Sequence, residues 1–333
     1  MRTFEEEYDA LRQHAALFDL SYLTTVELTG NDAADLLQYA CARDVSYLLP
    51  EKVLISAVLG PSGQVRDVVL IRKSDAGFLL ESSIGCGSAL LGHLVEVGGR
   101  LEDLVVLREE ALLGVEGPFA WKCIAEVLGP LAGSLPFQAS CSVSWKGCDV
   151  QVVRCGSTAE YGFRVRASDT ISAELWRTIS KLAVPAGYRA LELAQLEARH
   201  PTPHRECSAG ESVTECGFNW LVEPFKPDYC GRDAMQEACI QGRQARTIGV
   251  SWKENESVPP GARVVVGGMH EIGSIIWSEF SPGRQEMIGL ARVDAQWAAA
   301  GLACQVENEG GLAEAQTEAA PYVVPRSWST PIS

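Results

Sequence analysis

Two charged side chains stand against the field of their own helices. The run LELAQLEAR, Leu191 to Arg199, is built from strong helix formers. Pro201 and Pro203 must stop that helix, since each lacks an amide donor and restricts the residue before it. Glu197 therefore falls near a helix C-terminus, where the macrodipole disfavours a carboxylate. Downstream, RDAMQEACIQ puts Ala234, Met235, Ala238 and Cys239 on one face, which predicts a second amphipathic helix from Gly231–Arg232. Arg232 then stands at a helix N-terminus, the wrong end for a cation but the right one for holding an anion together with the unpaired amides. Each charge calls for a partner outside its helix. Surface pairing of Glu197 with Arg199 or Arg205, and a simply solvated Arg232, would account for either charge taken singly.

The elements that position these residues belong to an ordinary globular chain. Its 333 residues predict about two domains, or three small ones. A hydrophobic fraction of 47% with 21% charged residues supplies ample core. The net charge is 28 − 43 = −15, with the basic residues scattered. That balance excludes nucleic acid and an anionic membrane face as partners, because both need Lys/Arg clusters. The N-terminus has no apolar signal core and no stretch of about 18 apolar residues follows, so a cytoplasmic protein is expected. The 11 cysteines form no CxxC pair and read as reduced, mostly buried thiols. No metal site is expected, because the near pair His200 and His204 is interrupted by two prolines and cannot form a helical two-histidine face.

Along the chain, residues 5–17 read as an acidic amphipathic helix and 25–28 as a strand, with Asn31 or Asp32 capping a helix over AADLLQYAC. Strand-like runs follow at 53–59, 65–73 and 77–83, the first two joined by the turn Gly60-Pro61-Ser62-Gly63. A helix from about Ser88 to Val97 precedes the strand region VVLREEALLGVEGP and a helical segment to Leu128. Strands at 150–155 and 162–167 lead to a helix capped by Asp169, with Ile171, Leu175, Trp176 and Ile179 as its buried stripe. From Arg246 onward short strands alternate with Gly/Pro turns, the pattern of a separate barrel or sandwich. The tail PYVVPRSWSTPIS is expected to fray at its end. No GxGxxG, P-loop or GxSxG stretch is present, so nucleotide and hydrolase readings have no local support.

Seven segments, in order, resemble the glycine-cleavage aminomethyltransferase (T-protein) family, which includes tetrahydrofolate-dependent demethylases and folate-binding iron–sulfur maturation proteins. FDLSYLTTVELTGNDAADLLQ is similar to the family's FDxSHMxxxxxxGxDAxxFLQ, with Tyr22 where His is usual. GPSGQVRDVVLIR resembles N-x-x-GGxxDDxxV, keeping Asp67 and placing Arg66 where the preceding acid stands. ALLGVEGPFA looks like ALLAxQGPxA, and AEYGFRV like GExGFEI with Arg164 in place of Glu. QLEARHPTPHREC parallels RLEAGLPLxGxEL, retaining Glu197 and Glu206. ECGFNWLVEPFKPDYCGRDAM is similar to EAGLGWxVxxxKxDFIGRxAL, retaining Gly217, Trp220, Lys226, Asp228, Gly231 and Arg232. GSIIWSEFSPGRQEMIGLARV looks like GxVTSGxxSPxLxxxIALAxV.

The resemblance implies an α+β protein, a three-domain ring of two mixed α/β domains around a central cavity plus a C-terminal antiparallel β-barrel. It implies domains at 1–50 with 140–240, at 51–139, and at 245–333. It also implies tetrahydrofolate as cofactor: Glu197 at the pteridine, Arg232 at the glutamyl tail, with Tyr188, Trp220 and Ser83 (where the family has Asn) as further cofactor contacts. The family aspartate that positions the reactive nitrogen aligns with Leu90, which can neither steer a proton nor stabilise a cationic carbon. Asp67, Glu81, His93 and Tyr22 are the catalytic candidates that remain. The expected activity is one-carbon (methyl, aminomethyl or methylene) transfer with a small-molecule donor or acceptor. The alternatives are a non-catalytic folate-binding assembly or regulatory protein, whose KGCYxGQE motif is here KPDYCGRDA, and a repurposed member that has abandoned folate.

Overall fold

A computed structural model of the chain describes residues 2–85, 87–107, 110–207, 210–242, 245–253 and 258–332. The first segment gives α1 (Phe4–Gln13), β1 (Ala16–Asp19), β2 (Thr25–Thr29) and α2 (Ala33–Ala40). A meander of β3 (Val53–Leu59), β4 (Val65–Lys73) and β5 (Gly77–Ser82) is followed by α3 (Gly87–Glu96) and β6 (Leu104–Leu107). Next, β7 (Glu110–Glu116) leads through α4 (Ala120–Leu128) and α5 (Pro130–Gly133) to β8 (Ser140–Trp145), β9 (Cys148–Val153) and β10 (Gly162–Ser168). Then come α6 (Asp169–Ile179), β11 (Val184–Pro185), α7 (Tyr188–Ala198), α8 (Pro203–Glu206), α9 (Val213–Cys216) and α10 (Arg232–Gln241). The last strands are β12 (Ala245–Trp252), β13 (Arg263–Val266), β14 (His270–Ser281), β15 (Glu286–Asp294), β16 (Ala303–Asn308) and β17 (Gly311–Glu318).

These elements form two mixed α/β units and a closed barrel. The first unit is a six-stranded sheet, β11-β1-β7-β10-β9-β8, whose apolar face packs on Trp121, Ile124 and Leu128 of α4 and Leu175 and Ile179 of α6. The second is a five-stranded sheet, β3-β4-β5-β2-β6, covered by Ala33 and Leu37 of α2 and Leu90 and Leu94 of α3. The barrel runs β12-β15-β14-β13-β16-β17 and closes because β12 pairs with both β15 and β17. Closure leaves no open sheet edge, and Val250, Trp252, Ile275, Met287 and Val306 fill the interior.

Strand pairing corrects the expected domain limits. β2 lies between β5 and β6 with α2 packed on the same sheet, so residues 25–40 belong to the second unit. β7 lies between β1 and β10, so it and α4 belong to the first. The strand region expected across Arg108 and Glu109 lies partly outside the described residues, and β6 and β7 on either side of it join different sheets. The cap of α6 is Ser168 rather than Asp169, which is already helical. That one-residue shift is within the usual scatter of helix ends.

Helix α7 joins the parts. Its Leu191 and Ala194 pack on Leu11, Phe18 and Leu20 of the first unit, while Leu193 and Leu196 meet Trp277, Ile288 and Leu290 of the barrel. The tail is anchored rather than frayed. The Tyr322 amide donates to the Glu197 carbonyl (2.8 Å), the Ser327 amide to Glu160 Oε2 (2.8 Å) and Tyr161 Oη to the Thr330 carbonyl (2.7 Å). Ile332 packs on the first unit's core. Among the described residues no helix is long and apolar enough to cross a membrane.

Candidate active site

A pocket opens where the β1–β2 loop, the end of β5, β10, α7 and the segment after it converge. It is lined by Leu20, Tyr22, Leu23, Ser83, Ser157, Arg164, Tyr188, Leu191, Gln195, His200, Pro201, Thr202 and His204. Tyr188, Leu191 and Gln195 are spaced i, i+3, i+7, which puts them on one face of α7. Tyr22 meets Tyr188 edge to face, ring centroids 5.6 Å apart, at the rim. Both rings are about half exposed, 48% and 44%. The enclosed space is about 40 Å³, room for water or a carboxylate but not a bicyclic ring unless a rim side chain turns outward.

Three of the nine predicted site residues line this pocket: Tyr22, Ser83 and Tyr188. Two more stand directly behind it. Asp67 is buried and takes hydrogen bonds from Ser82 Oγ (2.6 Å), the Val68 amide (2.7 Å) and Ser83 Oγ (3.1 Å). Burial outweighs those bonds and pushes its carboxyl up to about 6. Glu81 is ion-paired with Arg164 and, at 3.2 Å, with Arg166.

The other four lie elsewhere. Glu197 is fully buried and its carboxylate is saturated: Tyr8 Oη (2.8 Å) and Ser281 Oγ (2.6 Å) bond to Oε1, and Arg12 Nε (2.9 Å) and Nη2 bond to Oε2. The partner that its helix position demands is thus Arg12, neither Arg199 nor Arg205. Four donors fill the lone pairs of one carboxylate, so no pterin bond is left to make there. Arg232 does begin α10, but its Nε donates to the Lys226 carbonyl (3.3 Å) and Nη1 pairs with Asp233 (3.3 Å). The turn at Gly60 and Gly63 packs on that helix start: a Cβ on Gly231, whose φ is +81°, would come 2.4 Å from the Gly60 carbonyl oxygen. Trp220 is half exposed and His93 is buried on α3, where burial lowers its pKa; neither lines the pocket. Leu90 is a core residue of the second unit rather than a pocket residue.

Sequence reasoning missed the residues that give the pocket its character. In the sequence Arg164 stands out only as a replacement for Glu, and His200 and His204 only as a proline-interrupted pair. Arg164 is the one fixed charge among the described lining residues, and no carboxylate lines the space. Burial and the neighbouring Arg166 lower its pKa to about 10, so it stays cationic at neutral pH. Burial, with Arg164 and Arg199 nearby, holds His200 down at about 3. His204 Nε2 sits 3.2 Å from Tyr188 Oη and 3.0 Å from Glu192 Oε1. Burial of Glu192 works against its charge, but His204 and Arg205 outweigh it and keep it at about 2. Gln195 Nε2 donates to Ser157 Oγ (3.0 Å), which donates in turn to Glu116 (3.0 Å). Arg164 is ion-paired with Glu81, and the carboxylates of Asp67, Glu116 and Glu192 stand behind Ser83, Ser157 and His204, so the pocket is donor-rich with an aromatic rim rather than strongly charged.

Residues 1–226, which include every lining residue, match the family model described as the GCVT N-terminal domain. The chain belongs to the GCVT family. It is 31% identical over 330 residues to an aminomethyltransferase of Methylococcus capsulatus, covering 97% of this chain and 89% of that one. An aminomethyltransferase of Leptospira biflexa is 25% identical over 327 residues (96% and 88%). The solved glycine cleavage system aminomethyltransferase T of Bartonella henselae superposes with a TM-score of 0.87 at 21% identity, covering 97% of this chain and 90% of that chain. The GCVT fold, two mixed α/β units and a C-terminal barrel, is therefore the fold of this chain.

Proposed function

We propose that this protein transfers a one-carbon unit between tetrahydrofolate and a small anionic molecule, in the pocket between β10 and α7. Family membership supports the reaction class, and the pocket's lining carries the rest. Tyr22 and Tyr188 offer ring faces to a pterin once the rim turns outward, and Gln195, with both a donor and an acceptor, can match its edge. Tetrahydrofolate, when bound, supplies the nitrogen that carries the one-carbon unit. Arg164 lines the same space, and beside its pair with Glu81 its guanidinium has further N–H donors that a ligand carboxylate can take. Ser83 lines the pocket and donates to Asp67, so a proton can pass through Ser83 Oγ to a carboxyl tuned to about 6. Asp67 thus acts through Ser83 in this proposal.

The first measurement is an anaerobic calorimetric titration with tetrahydrofolate. Micromolar binding, weakened at least tenfold in Gln195→Ala, is expected; absence of binding sinks the proposal. Donor turnover that requires tetrahydrofolate, with an acid limb near pH 6 that Asp67→Asn removes, would assign the proton path.

One observation favours a second reading, a folate-binding protein without transfer activity. No carboxylate among the described residues lines the pocket. Tight tetrahydrofolate binding with no turnover of methyl or aminomethyl donors would select it.

A further inference from the structure

We propose that Cys207 and Cys216 form a peroxide-oxidisable thiol pair, a modification site at the seam between the pocket wall and the barrel. Their sulfurs lie 3.3 Å apart. A disulfide needs about 2.0 Å, so closure requires a sulfur movement of roughly 1.3 Å, within reach of side-chain rotation. The backbones that carry the two thiols are held by one residue. Arg199, the left-handed C-cap of α7, donates Nη1 to Glu206 Oε1 (3.0 Å) and Nη2 to the Cys216 carbonyl (2.7 Å). Glu206 Oε1 also takes the Thr202 amide (3.0 Å), which ties Cys207 to a pocket-lining residue. From the other side, Thr247 Oγ1 on β12 donates to the Glu215 carbonyl (3.0 Å). The pair is therefore preorganised, and preorganisation raises the rate of an internal reaction.

The chemistry around the sulfurs suits oxidation. The Arg292 guanidinium lies 3.7 and 3.8 Å from Cys216 Sγ and is also paired with Glu211 (3.7 Å). Cys216 Sγ also lies 3.6 Å from the Glu206 carbonyl oxygen. Arg292 favours the thiolate on Cys216, which is the reactive form. Cys216 is fully buried and Cys207 partly exposed, so a small hydroperoxide, not a bulky disulfide, is the fitting oxidant. In the first step Cys216 Sγ attacks a peroxide oxygen, the O–O bond breaks, and the departing hydroxide takes a proton to leave as water. Cys216 is then a sulfenic acid. Cys207, losing its proton, attacks that sulfur; the S–O bond breaks and a second water leaves. Two thiols have been oxidised by two electrons and one hydroperoxide reduced.

The test uses the full chain, reduced and then titrated with hydrogen peroxide. The intact mass should fall by about 2 Da, with titratable thiols under denaturing conditions dropping from the 11 in the sequence to 9 (11 − 2). Peptide mapping should find Cys207 joined to Cys216. That linkage should form at least roughly tenfold faster than oxidation of the exposed Cys239. Cys207→Ser and Cys216→Ala should each abolish the loss of 2 Da; having two variants guards against one that misfolds. A mass that rises by added oxygen while both cysteines remain alkylatable, or a crosslink involving Cys239 instead, would overturn the proposal.

Discussion

At the residue scale, Glu197 shows how a side chain of the right type can serve a different end. Its carboxylate offsets the unfavourable helix end through Arg12, buried between α1, α7 and the barrel. Removing Glu197 leaves the buried Arg12 with only its longer pair to Glu160 (3.6 Å). Glu197→Ala should therefore lower stability by about 3–5 kcal/mol in denaturant melts. A variant that melts like wild type but binds tetrahydrofolate far more weakly would return Glu197 to the ligand. Arg164→Gln should weaken a carboxylate-bearing ligand about tenfold or more while sparing its decarboxylated analogue. His200 adds a pH dependence. Its ordinary pKa of 6.5 falls to about 3 in the folded chain, so between those values the unfolded chain binds a proton that the folded one refuses. The stability present above pH 6.5 is lost as the pH drops toward 3, and His200→Gln should flatten that decline in Tm.

At the scale of elements, local signals were legible and their partners were not. The turn Gly60–Gly63, the strands on either side of it, the helix beginning at Arg232 and the β-rich end all follow from residue order. Strand β2 reads as a strand from Thr25-Val26-Glu27-Leu28, but nothing local says that it inserts between β5 and β6 rather than beside β1. The same holds for β7. Pairing over such separations is decided by which apolar faces remain uncovered, a property of the assembled sheets. The site was half legible for a related reason. Tyr188 and Glu197 share α7, but Glu197 differs from the pocket-lining Gln195 by two residues and so faces away from the pocket, a choice of helix face that residue order in the motif does not state. The helix start at Gly231 gives a sharp test: with a φ of +81° and the Gly60 oxygen close by, Gly231→Ala should cost about 1–3 kcal/mol. An unchanged melt would mean the hairpin tip does not rest on α10.

At the scale of the whole molecule, the barrel is part of the support for the pocket. Leu193 and Leu196 of α7, opposite the pocket face, bury against Trp277, Ile288 and Leu290. A chain cut after residue 242 would bare those leucines together with Glu197's neighbours. It should bind a hydrophobic dye and be cleaved along α7 by limited proteolysis, where the full chain resists. Equal resistance would show that the two mixed units hold α7 unaided.

The anchored tail sets a sequence of events in time. Glu160 and Tyr161 are fastened by Ser327 and Thr330, and the Glu197 carbonyl by Tyr322, all residues the ribosome makes long after the elements they secure. Domains generally begin to fold as they emerge. Here the first unit must wait, with the segment before β10 not yet fastened, until the barrel has brought the last residues back to it. The nascent chain thus passes through an interval in which its cavity walls exist but their outer fastening does not, and that interval is when a chaperone has most to offer.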